Sequence, residues 1–181
     1  MIDNLKSRFD SGAIEPVDWL GDSLSRFDQY KQWASKVDVV GEYGVYTGHS
    51  TLAFLAAKPK KLYSVDITDQ YLTILPELQS IAAAQGTEYQ FVVADSLKTN
   101  FQVDLLFIDT YHSAEDPIGT FNHTLKELVW HREDVSKYMM LHDTNSHPPV
   151  RDAIIKFIQV YPEWSVVYED HNGDGLMVLQ K

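Results

Sequence analysis

Apolar segments of this chain alternate between strand-like and helix-like spacing through most of its length, and that alternation restricts the fold to a largely parallel sheet covered by helices. Strands are predicted at residues 37–41, Lys61 to Asp66, Tyr89 to Val93, Val103 to Asp109 and Tyr138 to His142. Between them the spacing predicts helices over Ser50 to Ala57, Tyr71 to Gln85 and Pro117 to Trp130, whereas Ser96 to Phe101 is too short for a long one. Pro148 to Val160 places Val150, Ile154, Phe157 and Ile158 at helical spacing behind a proline in its first turn, where a missing N–H is harmless. The pattern then changes. Trp164 to Tyr168 and Leu176 to Leu179 flank Asn172-Gly173, the signal of a β-hairpin. Residues 1–36 carry Trp19, Leu20, Leu24, Phe27, Tyr30 and Trp33 at amphipathic spacing, so one or two helices are expected to pack on the sheet edge or on the second subunit of a homodimer. The expected organisation is a helical segment, 1–36, on a main unit, 37–181, within one globular domain.

The run Glu42-Tyr43-Gly44-Val45-Tyr46-Thr47-Gly48-His49-Ser50 lies where the first strand turns into the first crossover helix. A glycine turn at that place exposes backbone N–H groups and a helix N-terminus, which suits an anionic group. A dinucleotide turn, G-x-G-x-x-G, needs its middle glycine so that the backbone can approach a pyrophosphate. Here the bulky Tyr46 stands in that place, and the hydroxyls of Tyr46, Thr47 and Ser50 suit a smaller carboxylate.

Ligands of open parallel sheets bind beyond the carboxyl ends of the strands. Asp66 ends the second strand, where an acid can accept hydrogen bonds from both ribose hydroxyls of a nucleoside, and Asp95-Ser96 follows the third. Asp109 ends the fourth strand and Asp143 follows the fifth. If those two strands are neighbours, the carboxylates emerge side by side and repel unless a cation lies between them. Oxygen ligands suit Mg²⁺, Ca²⁺ or Mn²⁺, and the imidazole of His142 would favour Mn²⁺, Fe²⁺ or Zn²⁺.

The turn from Glu42 to Ser50 resembles the cofactor loop of class I S-adenosylmethionine-dependent methyltransferases, closest to the metal-dependent O-methyltransferases of the catechol and caffeoyl-CoA type and their relatives acting on antibiotics and sugars. The resemblance covers about residues 37 to 181. It implies a Rossmann-like, mostly parallel seven-stranded sheet with an antiparallel C-terminal hairpin and helices on both faces. It also implies that Gly44, Thr47 and Gly48 shape a site for S-adenosylmethionine, that Tyr46 and Ser50 hold its carboxylate, and that Glu42 lies near its amino group. Asp66 is then placed at the ribose, and Asp95 and Ser96 near the adenine. Asp109 and Asp143 match the family's ligands for a divalent metal, Mg²⁺ or Mn²⁺. Where the catechol-type enzymes have an asparagine after the fifth-strand acid, this chain has Thr144, with His142 before it. His142 or Asn145 can complete the site. Three positions past Asp109, where those enzymes carry a lysine base, stands His112, whose ordinary pKa suits taking a proton from a hydroxyl. His112, Asp109 and His142 are thus the expected catalytic residues, and the expected reaction is methylation of a small-molecule hydroxyl. The other histidines, at 49, 123, 131, 147 and 171, read as helix-surface or loop residues, with His147 able to line the rim.

Composition narrows the alternatives. A length of 181 residues is that of one ordinary domain. A net charge of -11 argues against a nucleic-acid partner, because phosphate binding needs a basic face. The absence of cysteine removes disulfides and thiolate metal sites. No apolar run is long enough to cross a membrane, and Met1 to Lys6 lacks the apolar core of a signal peptide. These features predict a cytoplasmic protein without a membrane partner. Two other readings remain at this level: a cofactor-binding module without activity, and a nicotinamide-dependent oxidoreductase.

Overall fold

The computed structural model of the protein describes residues 1–14 and 26–181. Trp19, Leu20 and Leu24 lie outside the described residues. Helices α1 (Ile2–Asp10) and α2 (Phe27–Ala34) precede β1 (Val39–Tyr43), α3 (His49–Ala56), β2 (Lys61–Asp66), α4 (Leu75–Gln85) and β3 (Glu88–Val93). A 3-10 turn (Ser96–Lys98) leads to β4 (Val103–Ile108), α5 (Pro117–His131), β5 (Val135–His142), α6 (Pro148–Val160), β6 (Ser165–Asp170) and β7 (Leu176–Gln180). The seven strands form one sheet in the order β3-β2-β1-β4-β5-β7-β6. Strands β1 to β5 pair in parallel, and β7 runs antiparallel between β5 and β6.

Alternation along the central strands divides the core in two. Leu105 and Phe107 of β4, Met140 of β5, and Leu176 and Val178 of β7 pack with α1, α2, α3 and α4. Leu106, Ile108, Met139, Leu141, Met177 and Leu179 pack with α5 and α6 on the other face. The N-terminal helices are part of the first layer: Leu5, Phe9, Phe27, Tyr30 and Trp33 share one apolar cluster with Val40, Leu52 and Phe107.

Strand β1 begins two residues later than its valines predict, and the cause is polar. The N–H groups of Asp38 and Val39 both donate to the Asp104 carboxylate, at 3.1 and 3.2 Å, so the segment before Val39 is held by a side chain. Helix α4 likewise begins at Leu75, because Pro76 sits in its first turn and lacks a donor for the preceding residues. The β6–β7 turn carries Gly173 at φ +52° and Gly175 at φ +87°. A Cβ on Gly175 would lie 2.4 Å from the Asn145 nitrogen. That close approach seats the hairpin on the loop after β5.

Candidate functional site

The strand order reverses at β1, which has β2 on one side and β4 on the other, so the crossover connections diverge and leave a crevice at the carboxyl ends. A cleft of about 460 Å³ opens there, lined by Gly44, Asp66, Asp95, Ser96, Asp109, Thr110 and neighbouring side chains. The turn above β1 is tightly determined. Gly44 has φ +88°, and a Cβ on it would lie 1.8 Å from the Asp109 carbonyl oxygen, so only glycine lets the chain pass the end of β4. Tyr46 adopts φ +49° and Gly48 φ +89°. Asp66 holds this turn from the side: its Oδ2 accepts the N–H groups of Val45 and Tyr46 at 2.8 and 2.9 Å, and its Oδ1 accepts that of Thr68 at 3.1 Å. A carboxylate has about four acceptor positions, so the Asp66 carboxylate keeps roughly one for a hydroxyl in the cleft.

Glu42 lies underneath the turn, fully buried. It shares the strand parity of Val40, and so points toward α3, where an aliphatic side chain would be expected. Its Oε1 accepts from Ser50 at 2.5 Å, and its Oε2 accepts from Thr51 at 2.7 Å and Ser64 at 2.5 Å. Burial pushes its pKa up to about 7, outweighing the three hydroxyl donors that favour the charged form. Of the expected cofactor residues, Gly44, Asp66, Asp95 and Ser96 line the cleft. The Ser50 hydroxyl is spent on Glu42. Thr47 is buried, while Tyr46 is exposed against Tyr71 at a ring separation of 4.9 Å.

A second buried glutamate, which the sequence reading missed, holds the opposite wall. Glu127 of α5 accepts from Ser96 Oγ at 2.5 Å and from Thr110 Oγ1 at 2.7 Å, and pairs with His123 Nε2 at 3.2 Å. It thereby joins the ends of β3 and β4 to α5. The bond from Glu127 raises the pKa of His123 in spite of its partial burial. The sequence carried one signal: Glu127 falls on the apolar face of its helix beside Leu128, with Thr120 and Thr124 preceding it on that buried face. Asp95 caps the 3-10 turn through the Leu97 N–H at 3.0 Å and pairs with Lys98 at 3.0 Å.

Beside the cleft, the ends of β4 and β5 bring the expected catalytic residues together. His142 Nδ1 lies 3.5 Å from Asp109 Oδ2 and 3.4 Å from Asp143 Oδ1. His112 Nε2 lies 3.2 Å from Asp143 Oδ2. The His147 ring packs against that of His112 at 4.4 Å, and Ser146 Oγ donates to Asp143 Oδ1 at 3.0 Å. Asp143 sits at φ +60°, a conformation costly for most residues and best tolerated by Asn and Asp. Burial would depress His142, but the Tyr30 hydroxyl and the Asp109 and Asp143 carboxylates hold its pKa well above the ordinary value. Asp143 is also buried, which alone would raise it; the bond and charge of His142, the charge of His112 and the Ser146 hydroxyl hold it well below the carboxylate range.

One donor atom from each of Asp109, His142 and Asp143 lies within 4.8 Å of the others. Two carboxylates and an imidazole with their donor atoms so close fit a divalent cation that accepts both nitrogen and oxygen ligands. Two histidines expected on the surface are instead buried. His49 lies between Phe9 and Phe27, at 5.1 and 5.7 Å, and His131 packs on Tyr43 at 4.5 Å while its Nε2 meets the Ser96 carbonyl at 3.0 Å. Aromatic neighbours explain both, because an imidazole is small enough to pack in the core when it stays neutral.

The fold has solved counterparts. The fold is that of the class I methyltransferases. Magnesium protoporphyrin IX methyltransferase from Synechocystis PCC 6803, solved with bound SAM, superposes with a TM-score of 0.64 at 11% identity, over 87% of this chain and 78% of that one. An O-methyltransferase from Bacillus cereus, in complex with SAH, gives 0.58 at 15% identity over 87% and 81%. A candidate RNA methyltransferase from Pyrococcus horikoshii, PH1948, gives 0.60 at 14% identity over 87% and 84%. No family model and no curated protein matches the sequence. The seven-stranded sheet and its antiparallel ending, expected from the resemblance, are thus observed. No described helix is long and apolar enough to cross a membrane.

Proposed function

We propose that this protein is an S-adenosylmethionine-dependent methyltransferase that methylates a hydroxyl of a small molecule with the help of a divalent metal. The observation that carries the reading is the position of Asp109. It lines the cleft beyond β1 and also belongs to the carboxylate–imidazole cluster, so a nucleoside donor in the one and an acceptor at the other would share a wall. Neighbours of the same fold include proteins with SAM or SAH bound. They also include a candidate RNA methyltransferase, but the net charge of -11 favours a small acceptor over a polyanion.

When bound, S-adenosylmethionine supplies a sulfonium methyl group that a substrate oxygen can displace, and a divalent ion held by Asp109, Asp143 and His142 supplies positive charge beside that oxygen. The protein does the rest by placement. Asp143 Oδ2 faces His112 Nε2 at 3.2 Å, a carboxylate that favours the proton on Nε2 and so leaves Nδ1 as the nitrogen that takes the proton from the hydroxyl. The same carboxylate then stabilises the imidazolium, as an acid does for the histidine of a hydrolase triad. Asp66 and the Gly44 turn fix the donor end, and Glu127 fixes the wall formed by Ser96 and Thr110. Orientation and electrostatics account for most of the rate in such a displacement.

The test is calorimetric binding of S-adenosylhomocysteine, followed by methyl transfer to a panel of catechols and vicinal diols with Mg²⁺ or Mn²⁺. His112→Ala is expected to slow turnover by ~10²–10⁴-fold with cofactor affinity retained. Absence of S-adenosylhomocysteine binding, or unchanged turnover in both His112→Ala and Asp109→Ala, would overturn the proposal.

A further inference from the structure

We propose that His112, Asp143 and His147 form a second metal site, selective for Zn²⁺-like ions and joined to the Asp109–His142–Asp143 donor set at Asp143, and that filling it disables the base. The donor atoms of His112, Asp143 and His147 lie within 4.8 Å of one another. Ligands at ~2.0–2.1 Å from a tetrahedral Zn²⁺ are about 3.3 Å apart, and His112 Nε2 stands 3.2 Å from Asp143 Oδ2. The third ligand is oriented in advance. Ser146 has one hydroxyl proton and gives it to Asp143 Oδ1, so its oxygen accepts from His147 Nδ1, 3.1 Å away. That bond puts the free lone pair of His147 on Nε2, the usual support given to a ligating imidazole.

The loop bearing Asp143 and His147 is pinned from behind. Asn145 and Ser146 both donate their N–H groups to the Asp174 carbonyl, at 2.8 and 3.0 Å, and Asn145 Nδ2 donates to the Gly173 carbonyl at 2.8 Å. The site is also reachable, because the His112 side chain is 33% exposed. Two imidazoles and one carboxylate favour Zn²⁺, Co²⁺ or Fe²⁺ over Mg²⁺, which prefers an all-oxygen shell.

The consequence for catalysis rests on the function proposed above. A metal on His112 Nε2 displaces the proton there, and that proton moves through solvent to Nδ1. Nδ1 is the nitrogen assigned to accept the substrate proton. With it already protonated and Nε2 ligated, His112 has no lone pair left to act as a base. Zinc would then inhibit the same enzyme that a harder ion at Asp109, His142 and Asp143 supports.

Cobalt titration of metal-stripped protein tests the site without any turnover. Co²⁺ is expected to give a visible d–d band that Zn²⁺ abolishes and that Mg²⁺ at about 100-fold excess leaves in place. Ser146→Ala should weaken Co²⁺ binding by ~10–100-fold, His147→Ala by more, and Asp109→Asn should leave the band intact. A Co²⁺ affinity unchanged in both Ser146→Ala and His147→Ala, or a band lost in Asp109→Asn alone, would overturn the site. In the methylation assay, the ratio of rates with and without Zn²⁺ should fall for the wild type and stay near one for His147→Ala. A cobalt band without zinc inhibition of the wild type would overturn the assignment of His112 to the site. If no acceptor is methylated under any condition, the proposed function fails while the cobalt result stands.

Discussion

Glu42 and Asp143 are both buried acids at the carboxyl ends of parallel strands, yet Glu42 is ringed by hydroxyls and Asp143 by imidazoles. Ser50, Thr51 and Ser64 can donate to Glu42, but none of them changes charge at ordinary pH. His112 and His142 beside Asp143 can gain and lose a proton. The hydroxyl ring ties β1, β2 and α3 together under the glycine turn, around a carboxylate that is itself fully buried. The imidazole ring opens to solvent through His112. A sealed carboxylate of the first kind fixes a shape, and an accessible one of the second kind can handle protons and cations.

Exchanging the two acids' chemistry should therefore separate activity from stability. Asp143→Asn removes the charge that orients His112 and stabilises its imidazolium, so turnover is expected to fall by ~10²–10⁴-fold, with S-adenosylhomocysteine affinity retained in calorimetry. Glu42→Ala acts on the fold. It leaves three hydroxyls without their acceptor, those of Thr51 and Ser64 fully buried, at a cost of about 3 kcal/mol, seen as a fall in Tm of ~6–12 °C. If Glu42→Ala instead melted like the wild type while losing turnover, the sealed cluster would have to be reassigned to the chemistry.

The pH dependence of stability sharpens the contrast further, because the turn carries two buried groups of opposite sense. Burial raises Glu42 from 4.5 to about 7. Its contribution is full below pH 4.5 and is lost as pH rises through 7, a change of about 3 kcal/mol. Burial lowers His49 from 6.5 to about 4, with the charge of Lys6 adding to the effect. Neither of its ring nitrogens has a hydrogen-bond partner among the described residues. Its contribution is full above pH 6.5 and is lost as pH falls through 4, again by about 3 kcal/mol. Between pH 4.5 and 6.5 the two trends cancel. Denaturant titrations should show stability rising with pH in Glu42→Gln and falling with pH in His49→Leu. Parallel curves for the two variants would refute the cancellation.

The parts of this molecule legible in the sequence are those where apolar periodicity and local turn chemistry agree. Lys61 to Asp66 and Pro148 to Val160 were predicted to the residue, because each has an unbroken pattern and a clear boundary. The pairing of Asp109 with Asp143 followed from placing β4 beside β5. What the sequence did not reveal is which donor each polar group would meet. Ser50 reads as a ligand contact in a linear string, and only the register that sets Glu42 opposite Ser64 shows a buried network around the glutamate. His49 and His131 read as surface residues because polarity outweighs aromatic neighbours that are distant in sequence. Glu127 was overlooked for the same reason, since a charged residue on a helix is normally assigned to the solvated face.

Glu127 stands between the two kinds of acid, with two hydroxyls and one imidazole as partners, and its replacement should have the smallest effect. In Glu127→Gln the Oε2 that accepts from Thr110, or the Oε1 shared by Ser96 and His123, becomes an amide donor. At least one of the three bonds must then reverse or break, at about 1.4 kcal/mol of stability, and S-adenosylhomocysteine binding is expected to weaken by at most roughly 10-fold, the value reached when that whole cost falls on the bound state. The His123 pKa, raised chiefly by the Glu127 bond, should fall toward its ordinary value in the variant, measurable by NMR titration of the ring. A merely structural glutamate would lower Tm and the His123 pKa while leaving S-adenosylhomocysteine binding unchanged. A drop in His123 pKa together with weaker binding would show that the wall of the cleft is set by the charge at Glu127, and that a buried acid acquires a functional role once one of its partners can titrate at the cleft surface.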